Sequence, residues 1–198
     1  SAVSVVADIR SSDLFLQRGQ VADEGKDGKK LVLHYKSFRH QKVDWQVKMV
    51  LTLEEGKDYM RKYLEITGPD SQRHLARLDY IDFEPMNLPE GYAVWTHPVM
   101  EQGVGGISGY YISLGQPVYI QGMFFGLEFP AAETEIEDSQ KVRIRYYSGK
   151  SFEMLASEGR LGESGTFTTW KEVIGATRST DMDVIQTDFF SYIHDIAV

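Results

Sequence analysis

VDWQVKMVLTL, residues 43–53, sets Val43, Trp45, Val47, Met49, Leu51 and Leu53 at every second position, with mostly polar residues between them. Side chains of a strand alternate between its two faces, so a period-two run of this length needs a broad apolar surface beneath it, either a second sheet or a barrel wall. The stretch predicts a long strand with one buried face, in a chain built on large packed sheets. The next residues, EEGKD at 54–58, read as a polar hairpin into a strand over 59–67, paired antiparallel with the first. Upstream, 31–38 alternates, the charged run ADEGKDGKK at 22–30 reads as a turn with Gly25 and Gly28 supplying backbone freedom, and 2–9 reads as the first strand.

Downstream, the GPDS turn at 68–71 leads to a strand over 75–83, in which Arg77 and Asp79 interrupt the apolar phase. Residues 85–115 are irregular, with PMNLPEG and then GVGGISG. Strand patterns return at 118–120, 123–129 and 142–147, and the polar segment ASEGRLGESG at 156–165 precedes a last strand over 166–174. Trp45 is expected in the core. Phe124 and Phe125 point to opposite sides of their strand, so only one of them needs to be. The ending changes character: Met182, Ile185, Phe189, Tyr192, Ile193 and Ile196 fall at helical spacing and form one apolar stripe. Thr180 is placed to cap this helix, with acidic residues in its first turn where the helix dipole favours them. The reading is an all-β fold, a large antiparallel β-sandwich of the supersandwich type over 1–178 with a C-terminal α-helix over 179–198.

Composition narrows the function classes. A chain of 198 residues, 42% hydrophobic, suits one large β domain. The formal charge of −8 argues against nucleic acid as a partner, because phosphate binding depends on a cationic surface. The absence of cysteine rules out disulfides and thiolate metal sites and leaves the compartment open between cytoplasm and a bacterial exterior. No apolar stretch approaches the roughly 20 residues of a membrane helix, so a soluble chain without a membrane partner is expected. The first residue is not Met, which suggests a removed leader or a piece of a longer protein.

Motifs for chemistry are sparse. His34, His40, His74, His97 and His194 are scattered and form no metal set, and no metal or cofactor is expected. GVGGISG fails the dinucleotide fingerprint, because Ser108 takes the third glycine position and no βαβ unit surrounds it. There is no P-loop and no nucleophile elbow. Asp79, Asp82, Glu84 and Glu128 are the carboxylates considered for glycoside chemistry, although their separation is not readable from sequence. Aromatics are the better clue, because sugar rings pack C–H faces on flat side chains while their hydroxyls bond nearby polar groups. Trp95, His97, Tyr110, Tyr111, Phe125 and Glu128 form the expected carbohydrate-binding set, and no catalytic residue is assigned.

Three segments carry a resemblance: VKMVLTLEEGKDYMRKYLEI at 47–66, LGQPVYIQGMFFGLEFPA at 114–131 and STDMDVIQTDFFSYIHDI at 179–196. Together they resemble the N-terminal, galactose-mutarotase-like β-sandwich of multidomain glycoside hydrolases of the melibiase, or α-galactosidase-like, group and its bacterial members. The resemblance implies a sandwich packed against a (β/α)₈ catalytic barrel of the same polypeptide, which would carry the catalytic aspartates, with a helical connector between the two. It implies a non-catalytic accessory domain whose direct activity is contact with carbohydrate. Two alternatives stay open: a sugar mutarotase or epimerase using a His/Glu acid–base pair such as His97 and Glu128, and a purely structural interaction module.

Overall fold

The structure, a computed structural model, describes residues 9–25, 27–40, 42–83, 86–92, 94–96, 115–128, 132–137 and 141–197. Its strands in chain order are β1 (Leu16–Glu24), β2 (Gly28–Tyr35), β3 (Phe38–His40), β4 (Val43–Glu54), β5 (Tyr59–Thr67), β6 (Arg77–Asp82) and β7 (Met86–Asn87). They continue with β8 (Val94–Thr96), β9 (Gly115–Ile120), β10 (Met123–Leu127), β11 (Glu133–Glu137), β12 (Lys141–Ser151), β13 (Thr166–Thr168) and β14 (Glu172–Ala176). Helix α1 (Phe152–Ser157) follows β12, and α2 (Met182–Ala197) ends the described chain. The fold is all-β, with two antiparallel sheets stacked as a sandwich. The larger runs β1-β2-β4-β5-β14-β10-β9-β8, with β3 on β4 and β13 on β5. The smaller runs β11-β12-β6, with β7 on β12.

The long strand lies where the period-two run places it, paired with β5 through a hairpin whose turn needs Gly56 at φ +77°. Its burial is graded along its length. Val43 and Trp45 are buried against the second sheet, Val47, Met49 and Leu51 are half-buried, and Leu53 is 51% exposed. The smaller sheet covers only part of the larger one, so the apolar row outruns its cover. The main core lies between the sheets and joins Ile66, Val118, Phe125 and Leu127 of the large sheet to Val142, Ile144 and Tyr146 of the small one, with Phe152 of α1 and Phe167 closing one end.

Helix α2 packs on the opposite face of the large sheet. Ile185, Phe189 and Tyr192 cover Tyr119, Phe124 and Val173 and form a second core, against which Met182 and Ile193 also pack. Phe124 and Phe125 do point to opposite faces, but both are buried, one in each core. Phe124 lies flat across Gly175, its cross-strand partner; a Cβ there would stand 1.9 Å from the ring.

Several expectations are corrected. The proposed strand over 2–9 lies outside the described residues except Ile9, which is not in a strand, and the first described strand is β1. ADEGKDGKK is mostly strand: Ala22, Asp23 and Glu24 pair in register with Lys30, Lys29 and Gly28, and the charges fall opposite one another, with Lys29 Nζ 2.5 Å from Asp23 Oδ1. The run does hold a turn that joins two strands, with Gly25 at φ +63°, but the turn is confined to its middle, Gly28 already belongs to β2, and the flanking charges are part of the ladder. Helix α1 was missed because it is only six residues long, too short for a helical period to show; Ser151 caps it, its Oγ accepting from the Met154 amide at 3.2 Å. The expected strand over 166–174 is broken at residues 169–171, where Thr169 Oγ1 accepts from the Leu64 amide at 3.0 Å and interrupts the ladder. The cap of α2 is Asp181 and not Thr180: its carboxylate accepts from the amides of Asp183 at 2.9 Å and Val184 at 3.4 Å.

Candidate functional site

Glu128 follows β10 on the helix-bearing face of the large sheet, half-buried at the foot of α2. Arg61 Nε donates to its Oε1 at 2.8 Å, and the Tyr192 hydroxyl donates to the same oxygen. Arg61 comes from β5, in register with Val173 of β14, so three neighbouring pieces of structure converge on one carboxylate. The guanidinium also lies 5.7 Å from the Tyr59 ring centre and 5.8 Å from that of Tyr192, and those two rings meet edge to face at 4.6 Å. Burial works against the charge of Arg61, but Glu128 and the Tyr192 hydroxyl outweigh it and raise the Arg61 pKa. Burial, reinforced by the Glu128 charge, holds the Tyr192 phenol protonated well above its ordinary range.

Above this cluster the β4–β5 hairpin and α2 stand apart and enclose a cleft of about 180 Å³. Lys57, Asp58 and Tyr59 form one wall, Asp188, Ser191, Tyr192 and Asp195 the other, and Phe124 and Ala176 lie beneath. The helical wall follows from spacing, since residues 188, 191, 192 and 195 recur at intervals of three and four and share a helix face. Lys57 Nζ bridges the cleft to Asp195 Oδ2 at 2.7 Å. This bond raises the Lys57 pKa and lowers that of Asp195. Tyr59 has a raised pKa, chiefly from burial. Asp58 and Asp188 make no ion pair among the described residues, so their carboxylates are open to hydroxyl donors from outside.

Of the residues singled out from sequence, Glu128 alone is placed beside this cleft, and it is linked to it through Tyr192. Phe125 sits in the core between the sheets. The stretch over 85–115 is not wholly irregular, since it holds β7 and β8; Trp95 belongs to β8, in register with Tyr119 of β9, and not to a loop, and His97, Tyr110 and Tyr111 lie outside the described residues. Asp82 accepts two bonds from Arg145 at 2.5 and 2.9 Å, and Asp79 one from Arg77 at 2.6 Å, so both serve ion pairs of the small sheet; Glu84 lies outside the described residues. Lys57, Asp58, Tyr59, Asp188, Ser191 and Asp195 were not anticipated. Asp188, Ser191 and Asp195 were legible as the polar flank of the stripe that contains Tyr192; the hairpin wall was not, because which strand α2 reaches is a tertiary fact. Among the described residues no group of three His, Asp or Glu side chains is arranged to hold a metal ion, and no helix is long and apolar enough to cross a membrane. No protein-family model, curated protein or solved structure matches the chain.

A second ionic feature lies on the other face of the sheet. Lys62 and Glu172 are paired in register on β5 and β14 and project between the sheets. Lys62 Nζ lies 2.8 Å from Glu172 Oε2 and donates to the Phe83 carbonyl at 3.1 Å, while Glu172 Oε1 has no hydrogen-bond partner among the described residues. Burial pushes the Glu172 pKa up to about 7, with the Lys62 ammonium pulling the other way.

Proposed function

We propose that the chain is a non-catalytic accessory module of a glycoside hydrolase, and that it contacts carbohydrate in the cleft between α2 and the β4–β5 hairpin. The observation that carries this reading is the make-up of the cleft: two carboxylates without ion-pair partners among the described residues, Asp58 and Asp188, beside the half-buried ring of Tyr59, which the buried Tyr192 ring backs edge to face. Carboxylates accept hydrogen bonds from sugar hydroxyls, and aromatic surface takes the apolar C–H face, which is the division of labour that sugar recognition needs. The surroundings favour a rigid site, since Glu128 and Arg61 fix Tyr192 from below and Lys57 fixes Asp195 from across the cleft. The resemblance of three segments to the melibiase-like sandwich supports the assignment to a glycoside hydrolase, with a catalytic barrel as the neighbouring domain. Val184 and Phe190 are partly exposed on α2, Phe190 beside Phe189 of the second core, and offer apolar surface to that neighbour.

The test is a thermal-denaturation screen of the chain with galactose, melibiose and a panel of other mono- and oligosaccharides, since a ligand of the native state raises the apparent Tm. A galactoside-dependent rise that is lost in Asp188→Ala and kept in Trp95→Ala supports the cleft. A rise lost in Trp95→Ala instead moves the site to the region singled out from sequence. No rise with any sugar, from a chain that unfolds cooperatively, overturns the carbohydrate reading and leaves a structural module.

A further inference from the structure

We propose that β1 is a dimerisation edge, joining two copies of this chain through antiparallel pairing of β1 with β1 of the second copy about a two-fold axis at Val21. Among the described residues β1 ends the large sheet: one side is paired with β2, and its other row of backbone groups faces outward. Its residues from Leu16 to Asp23 are all exposed, Val21 at 69%. Such an edge invites another strand unless proline, a bulge or an inward charge spoils it. From Arg18 to Glu24 the register with β2 is unbroken, the irregularity of the strand lies before Arg18, and the stretch contains no proline.

Charge selects both the occupant and the register. Pairing with β2 shows that Gly19, Val21 and Asp23 share the face of Leu33, Leu31 and Lys29, while Arg18, Gln20, Ala22 and Glu24 share the opposite face. Residues directly opposite in an antiparallel ladder project to the same side, so a symmetric pairing that continues the sheet must match like faces. Centring on Gln20 sets Arg18 against Ala22, and centring on Ala22 sets Val21 against Asp23. Centring on Val21 sets Val21 against itself, Gln20 against Ala22, and Arg18 against Glu24 twice, once on each side of the axis. Arg18 has no ion-pair partner among the described residues. Glu24 is held only at 3.6 Å by Lys30. The apolar row of Val21, Leu31 and Leu51 then runs without a break across the axis. The sequence of the strand is thus complementary to itself in one register.

Sedimentation velocity over a dilution series of the chain, with circular dichroism as the check on folding, tests this. The wild type is expected to show a reversible monomer–dimer equilibrium. Val21→Lys, which sets two ammonium groups against each other at the axis, is expected to abolish the dimer. Arg18→Glu should weaken it at least tenfold, and the double reversal Arg18→Glu with Glu24→Arg, which restores both opposite-charge pairs, should recover it. A wild type that stays monomeric at every concentration overturns the proposal, as does a dimer indifferent to Val21→Lys, or one that Arg18→Glu weakens and the double reversal fails to restore.

Discussion

Two polar groups show how much one side chain can decide. Tyr192 is placed by the apolar stripe of α2, yet its hydroxyl completes the coordination of Glu128 beside Arg61. Removing that hydroxyl leaves part of a half-buried carboxylate short of a donor, so Tyr192→Phe is expected to lower stability by about 1–3 kcal/mol in urea denaturation while keeping the ring packing. Glu172 sets a pH dependence. Its folded pKa of about 7 stands above the ordinary 4.5, so the native state holds the proton more tightly than the unfolded chain. Its contribution is therefore most favourable below pH about 4.5 and is lost as pH rises towards 7. The stability of the wild type relative to Glu172→Gln should fall across that window by up to about 3 kcal/mol, an upper figure from roughly 1.4 kcal/mol per pKa unit. Equilibrium unfolding of both proteins at several pH values reads the difference directly, and a flat difference would show that Lys62 keeps the carboxyl ionised throughout. Neither role was legible from sequence. Glu172 stands beside Lys171 and Lys62 beside Arg61, so nothing local marks either as interior, and only the register that sets them opposite each other makes an interior ion pair.

At the scale of elements, alternation and helical spacing located most of the strands and α2, because each buries one face against a broad surface and so must repeat with its own period. The misreading at the β1–β2 ribbon has a simple cause. β1 and the start of β2 have almost no buried face, so alternation carries no signal there, and the charged residues that look like a turn are cross-strand pairs on an exposed ribbon. The turn itself is small and needs Gly25 at φ +63°. Gly175 was equally silent, although the second core depends on it. Gly175→Ala drives a methyl group into the Phe124 ring and is expected to cost about 1–3 kcal/mol in chemical denaturation, with Phe124→Leu recovering part of the loss. Loss of the α2 cap in Asp181→Ala should cost about 1 kcal/mol, seen as a lower unfolding midpoint, whereas Thr180→Ala should change little.

For the whole molecule, the decisive feature is that one large sheet is covered unequally. The small sheet packs on part of one face, α2 packs on part of the other, and β1 with the neighbouring ends of β2 and β4, around Lys29 and Leu53, projects beyond the small sheet. The sandwich was readable from the long strand, because its apolar face demanded a second layer. How far that layer extends was not, since Val47 and Leu53 look alike in sequence and differ only in what lies above them. The cleft arises at one boundary of this uneven cover, where α2 meets the β4–β5 hairpin. The measurement that tests this account most directly is a nuclear magnetic resonance titration of the isotopically labelled chain with a galactoside. Backbone signals are expected to shift on both walls of the cleft together, at residues 57–59 of the hairpin and 188–195 of the helix, and Asp188→Ala is expected to abolish the shifts. Shifts confined to another part of the surface, or none at saturating sugar, would contradict this account.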